Sequence, residues 1–482
     1  MRLPTHVANS CLAVLIRGSG FSSLDRLADA FNRHGASTYG LDLKYDHTGV
    51  KRWLRGGSCE QPQVVAEVLS KAWGVPIPAT VIWPDLRNGA PPLPAHLQPF
   101  VAARTLEDLG VFLRSDMLTR RDLLASSIGV AAGSTFVDPL ARWLGAEPVG
   151  LPPAKESGPS RIGMAAVEQI ESATTHFMTT DAAAGGGLSR EAAVGQLKYA
   201  VDLLDQATYD HATGDRLLAA IGKLSGEIGY MSHDAGMEGP AQQYLTYGLQ
   251  AARESSDERA SVVAVGILAD MARQMRFLGR PDTGLRLVDL AFDQLSHDPD
   301  GSGSVRAMLW NLKARMLASI GTRPSEVHSA IDLSLDLLAQ ARDQDEPPWQ
   351  RSVLIYIGEA ELQRHATGAY LDLAAVHPEA TRRLATMAEG AALAALANWE
   401  AGFIRERAYG FADLAQARFL QSEPDQACED GEQAVELSAR VIGSSRLTAR
   451  LGDLLKASEL YRDHQRVRDF RSRLEAAVAG GR

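Results

Sequence analysis

Apolar residues recur at three- and four-residue intervals through most of this chain, and alternating valine-rich runs are scarce, so the pattern predicts helices with little sheet. Near the N-terminus, Val7 to Ile16 is a short apolar helix candidate. Ser22 to Asn32 is a second, opening with Ser22 and Asp25 at capping-box spacing and carrying Leu24, Leu27, Ala28 and Phe31 as its buried stripe. Between Tyr45 and Gly57, Val50, Trp53 and Leu54 fall on one helical face, and the Gly56-Gly57 pair ends the helix. Gln63 to Trp73 adds Val64, Val65, Val68, Leu69 and Ala72 at the same period, a fourth wall for a small all-helical core.

The polar side of the third element is as informative as its apolar side. Thr48, Lys51, Arg52 and Arg55 point away from the Val50–Trp53–Leu54 stripe, where they can meet phosphate and base edges. A recognition helix needs this division, one face packing on its own domain and the other entering the major groove of DNA. On this reading Arg52 and Lys51 supply base-edge and phosphate contacts, Thr48 and Arg55 support them, Lys44 lies near the backbone, and Trp53 belongs to the core. The gap from His34 to Lys44, with Gly35, Ser37, Thr38, Gly40 and Asp42, is longer than the turn of a compact helix-turn-helix.

Two proline-rich breaks divide the chain. Pro76, Pro78, Pro84, Pro91, Pro92 and Pro94 end the head, and Pro148 to Pro159 precedes the body. The expected domains are therefore 1–80, a helix-turn-helix module; 81–160, a connector with short helices; and 161–478, a repeat body. Small residues 12 and 19 positions apart mark where the two helices of a tetratricopeptide hairpin cross closely. Gly229, Ala241 and Gly248 obey this spacing, as do Ala272, Gly284 and Ala291, and Ala415, Ala427 and Ala434. The turns Gly279-Arg280-Pro281 and Glu423-Pro424-Asp425 fall between the helices of two sets. Further hairpins are expected around Leu312 to Leu338 and Ile355 to Leu373. The expected architecture is all-α, a small helix-turn-helix bundle followed by a tetratricopeptide-like α-solenoid whose concave face is open to a peptide or partner helix.

Charge distribution sharpens the functional expectation. The chain carries a net charge of -10, but residues 1–80 hold nine Lys or Arg against six Asp or Glu, a head of +3 on a body of -13. A mildly basic head fits a local DNA contact, and an acidic body discourages indiscriminate coating of nucleic acid. Cys11, Cys59 and Cys428 have no paired spacing, so neither a disulfide framework nor a zinc site is expected and a reducing cytoplasm is the natural home. No secretion signal or membrane span is expected. Thr119-Arg120-Arg121 followed by an apolar run resembles a twin-arginine export signal, but its internal position favours a capped, buried helix.

A catalytic constellation is not expected. The twelve histidines are scattered, and Gly18-Ser19-Gly20 and Gly301-Ser302-Gly303 lack the Lys-Ser/Thr of a phosphate loop. His233-Asp234 and Glu359 with Glu361 read as hairpin ends and solvated helix faces. Trp310, Trp349, Tyr356, Trp399 and Tyr409 read as hairpin core.

The head, from Tyr45-Asp46-His47-Thr48 through Arg55-Gly56, resembles the helix-turn-helix of actinobacterial transcriptional regulators whose long C-terminal part is tetratricopeptide-like. Tyr230-Met231-Ser232-His233-Asp234-Ala235-Gly236, Glu346-Pro347-Pro348-Trp349 and Asp425-Gln426-Ala427-Cys428 extend the likeness over most of the chain. The resemblance implies a DNA-binding regulator. Double-stranded DNA and a second copy of the chain are the expected partners, with a peptide, small-molecule or protein effector on the repeats and no cofactor. The competing expectation is a repeat scaffold or adaptor with a degenerate, non-reading head.

Overall fold

The computed structural model describes residues 10–39, 43–55, 59, 61–73, 77, 79–83, 109–110, 112–113, 116, 130–148, 160–185, 189–296, 303–342 and 357–480. Among them regular structure is helical, the single β-bridge joining Arg161 to Thr208. The chain divides into two compact units, Met1–Gln98 with Val111–Val130, and Pro99–Gly110 with Ala131–Arg482. The Gly56-Gly57 stop, the Thr119-Arg120-Arg121 segment and the Glu346 to Trp349 phrase lie outside the described residues.

In the first unit α1 (Ser10–Gly18), α2 (Leu24–Tyr39), α3 (His47–Leu54), α4 (Pro62–Trp73) and α5 (Ala79–Ile82) enclose one apolar core. Leu12, Leu15, Ile16, Leu27, Phe31, Val50, Trp53, Leu54, Val65 and Leu69 are buried in it. Trp53 is the centre: Tyr45 meets its ring edge-on at 4.8 Å, Trp83 edge-on at 5.9 Å, and Phe31 lies 6.1 Å away. Two details differ from the sequence expectation. The cap of α2 is Ser23, whose hydroxyl accepts the Arg26 amide at 3.2 Å, one residue later than the Ser22 pattern suggests. The helix also continues past Asn32 to Tyr39, so the long gap shrinks to a short connection.

The extension has a physical cause. Asn32 clamps the chain entering α3, donating to the Tyr45 carbonyl and accepting the Tyr45 amide, both at 2.9 Å. Gly35 then admits Leu43 against the helix, since a Cβ there would lie 2.4 Å from the Leu43 Cδ1. His34 reaches Glu67 of α4 at 2.7 Å. Tertiary contacts thus override the weak helix propensity of Gly, Ser and Thr in this stretch.

The second unit begins with α6 (Ser134–Leu144), which lies within the expected connector yet packs on the repeats. Gln242 holds the Ala131 backbone through two 2.8 Å hydrogen bonds, and the Gly133 amide donates to Thr283 at 3.0 Å. Helices then pair as hairpins: α7 (Met164–Ala184) with α8 (Arg190–Gln206), α9 (His211–Asp234) with α10 (Glu238–Glu254), α11 (Ala260–Phe277) with α12 (Pro281–Ser296), and α13 (Gly303–Ile320) with α14 (Pro324–Arg342). Next come α15 (Glu359–Val376) with α16 (Thr381–Asn398), α17 (Ile404–Leu420) with α18 (Pro424–Ser438), and α19 (Ser445–Ala457) with α20 (Gln465–Gly480).

The small-residue sets sit at the crossings they predict. Gly229 faces the Ala241 carbonyl and Leu245 where α9 meets α10. Higher in the same hairpin a Cβ on Gly222 would stand 2.9 Å from the Gly248 carbonyl, and one on Gly248 would stand 2.8 Å from the Gly222 carbonyl. Gly284 crosses the Ala272 carbonyl, and Ala415, Ala427 and Ala434 are fully buried. The hairpin turns repeat as well: Gly236, Gly279 and Gly321 have positive φ, and Met237, Arg280 and Thr322 donate back to Ser232, Met275 and Leu317. At the corresponding turn Ser422 adopts φ 68° and Glu423 donates to Arg418. This left-handed cap closes the first helix of four of the pairs and launches the second. Together these features define an all-α helical-repeat solenoid.

Among the described residues, the inner helices meet one another around the interior. α7, α9, α11, α13, α15 and α17 each pack on the next, and α17 returns to α7. The open concave face expected from stacked hairpins is therefore replaced by a closed ring around a small interior.

Candidate nucleic-acid interface and repeat interior

The third helix owes its position to both ends. Asp46 caps its start, accepting the Gly49 amide at 2.8 Å, and that hydrogen bond holds the Asp46 carboxyl below its ordinary range. Tyr45, just before the cap, is held by Asn32 and accepts the Gln61 amide on its hydroxyl at 3.1 Å, so the entry to α3 is tied to both α2 and α4. His47 pairs with Asp25 of α2 at 2.9 Å. At the other end the Arg55 amide donates to the Lys51 and Arg52 carbonyls.

Val50, Trp53 and Leu54 are completely buried, which fixes the rotation of this helix about its axis. Thr48, Arg52 and Arg55 are consequently exposed, as is Lys44, and Lys51 is half-buried. The five residues singled out from the sequence lie on one short helix and its two ends, all but Lys51 exposed. Such a surface can offer a bidentate guanidinium to a base edge and a cation to phosphate. Residues 12–82 match the model of the SP15 N-terminal domain family. The matched segment starts inside α1 and ends on the last residue of α5, so it is similar to that domain over nearly all of the described bundle. No curated protein matches the chain.

The interior of the repeat unit carries charges that the sequence pattern did not mark. Arg405 at the start of α17 is fully buried, with Nη1 2.8 Å from Asp181 of α7 and 3.2 Å from Asp234 of α9, and Nε 3.1 Å from Glu406. Asp234 also accepts from Arg446 Nε at 2.8 Å and from the Ser444 hydroxyl at 2.9 Å. Arg446 donates to the Tyr230 hydroxyl at 2.8 Å. These carboxylates and guanidiniums join α7, α9, α17 and α19 where the ring closes. Burial pushes the Asp181 carboxyl up to about 6, although Arg405 opposes the shift. The guanidiniums of Arg405 and Arg446 are held well above their ordinary value by the acidic and phenolic groups around them, against the burial that opposes ionisation.

Two expectations about this region need correction. Asp234 and His233 do mark a hairpin end, but both are buried, and His233 contacts Glu238 at 2.9 Å. Glu361 is likewise enclosed by Arg364 at 2.7 Å and His365 at 2.8 Å instead of lying on a solvated face. Of the aromatic residues, Tyr409 is buried and Trp310 and Trp399 are partly covered, against Phe292 and Phe403; Trp349 and Tyr356 lie outside the described residues. Among the described residues, no helix is long and apolar enough to cross a membrane.

Proposed function

We propose that this chain is a sequence-specific DNA-binding transcriptional regulator of the cytoplasm. The first unit reads DNA, and the helical repeats, of tetratricopeptide type on this reading, dimerise, sense a signal, or both. The observation that carries the proposal is the division of α3: Val50, Trp53 and Leu54 fully buried, with Thr48, Arg52 and Arg55 exposed on the other side. Arg52 is assigned to a base edge, Lys51 and Lys44 to the backbone, and Thr48 and Arg55 to support. The resemblance to actinobacterial regulators points the same way. One head covers little DNA, so the working form is a dimer reading half-sites about one helical turn apart.

The test is selection of bound fragments from a random duplex pool by the full-length protein and by the Lys51→Ala/Arg52→Ala variant at the same salt. The expected result is a two-fold symmetric motif enriched by the wild type and lost by the variant. Folded protein that enriches no sequence would instead favour a scaffold with a non-reading head. A monomer in sedimentation that stays monomeric on the selected site would overturn the dimer.

A further inference from the structure

The closed ring of inner helices surrounds a cavity of about 70 Å³, lined by residues of α7, α9, α11, α13, α15 and α17. Its walls combine apolar side chains, among them Val263, Ile267, Met308 and Leu362, with ionisable groups. Four of the lining residues are acidic, Glu227, Asp270, Glu361 and Glu406, and two are basic, Lys223 and Arg273. Most of the carboxylates already have a close cation. Asp270 pairs with Arg273 at 2.7 Å, Glu361 with Arg364 at 2.7 Å, and Glu406 with both Arg405 and Arg364 at 3.1 Å.

Glu227 differs from the others. It is 5% exposed, no protein group among the described residues hydrogen-bonds to its Oε1, and its nearest cation is Lys223 Nζ at 3.8 Å from Oε2. A buried carboxylate with so little compensation strongly favours its neutral form. Burial accordingly raises the Glu227 carboxyl to about 8, with Lys223 only partly opposing the shift. The cavity thus presents an apolar wall and one carboxyl lacking a close cation.

We propose that this cavity is a binding site for a compact organic cation, a small primary ammonium on a short alkyl body, whose ammonium group pairs with Glu227. As the ligand enters, Glu227 releases its proton to solvent, and the ammonium, which donates up to three hydrogen bonds, supplies the charge that Lys223 delivers only at a distance. The alkyl body would contact Ile267, Met308 and Leu362. One water needs roughly 10–15 Å³ of such space, so the cavity suits a ligand of about five to seven non-hydrogen atoms. The site lies wholly within the repeat unit and needs nothing from α3.

The experiment is titration calorimetry of the full-length protein with n-butylammonium, with butan-1-ol as a neutral analogue of the same shape and butyrate as the anionic one. Saturable binding of butylammonium to one site per chain is expected, with butan-1-ol at least tenfold weaker and butyrate not bound. Glu227→Gln should weaken butylammonium by about ten- to a hundredfold, the scale of a charged hydrogen bond, with an unchanged circular dichroism spectrum. Absence of saturable binding to the folded wild type, or equal affinity for butylammonium and butan-1-ol, would overturn the proposal whatever the variant does. Equal affinity of wild type and folded Glu227→Gln would overturn the assignment of Glu227.

Discussion

The two units solve opposite problems with their charged residues. In the first, the core around Trp53 is apolar, and the cations of α3 face outward. In the second, Arg405, Asp181 and Asp234 are buried at the closure of a ring, and Glu227 lines its cavity. An outward cation is cheap to keep and available to a polyanion, whereas a buried ion pair is tolerated only when its partners are complete. The contrast separates the outward cations of the proposed recognition helix from an interior whose integrity depends on electrostatic pairing, and mutations should act on the two units in different ways.

The largest effect is expected at the ring closure. Arg405→Met leaves Asp181 and Asp234 without their shared guanidinium, and breaking such a buried pair costs about 3–5 kcal/mol. Denaturant titration should show a lower midpoint for the repeat unit, while DNA binding by the first unit survives wherever the protein is folded. A cost below about 1 kcal/mol would mean that the closure does not hold the ring together. Trp53→Ala is the counterpart in the apolar core. Removing a fully buried tryptophan should cost about 3–5 kcal/mol and unfold the first unit, with the helical signal of the repeats retained.

A smaller effect is expected where backbones cross. Gly222→Ala places a Cβ 2.9 Å from the Gly248 carbonyl, and neither backbone can yield easily, so about 1–3 kcal/mol of repeat-unit stability should be lost. The change in melting temperature relative to a control such as Gly452→Ala, where an added Cβ meets nothing within 4 Å, reads this directly.

The pH response should also distinguish the interiors. The folded Glu227 carboxyl titrates at about 8 against an ordinary 4.5, so between these values the unfolded chain releases a proton that the folded protein keeps. Stability from this group is therefore greatest below pH 4.5 and is lost as pH rises toward 8. The groups acting on it are Lys223 of its own helix, Asp181, Asp270 and Arg405. Glu227→Gln should flatten this part of the stability profile, measured by denaturant titration between pH 5 and 8. An unchanged slope would show that burial does not hold the proton there.

The same contrast explains what could be read from the sequence. The α3 division was legible because its buried Val50, Trp53 and Leu54 and its exposed Arg52 and Arg55 alternate within one helical period. The hairpin crossings were legible because only small residues such as Gly229 and Gly284 permit the approach. The extension of α2 through Gly35 to Tyr39 was not, since it depends on Asn32 and Leu43 closing over residues of low helix propensity. Nor was the burial of Asp234, whose partners Arg405 and Arg446 are distant in the chain and are brought to it only by ring closure. Inner helices lose the amphipathic signal for the same reason: α9 is covered on nearly every side.

The most direct measurement is equilibrium binding of the selected duplex and a scrambled duplex to wild type and to Arg52→Ala, at one salt concentration, with the unfolding midpoint of each protein recorded. The variant should lose about 1–3 kcal/mol on the selected duplex, little on the scrambled one, and no stability. Equal loss on both duplexes would make Arg52 a phosphate contact, and unchanged binding to both would contradict the assignment of α3 as the helix that reads DNA.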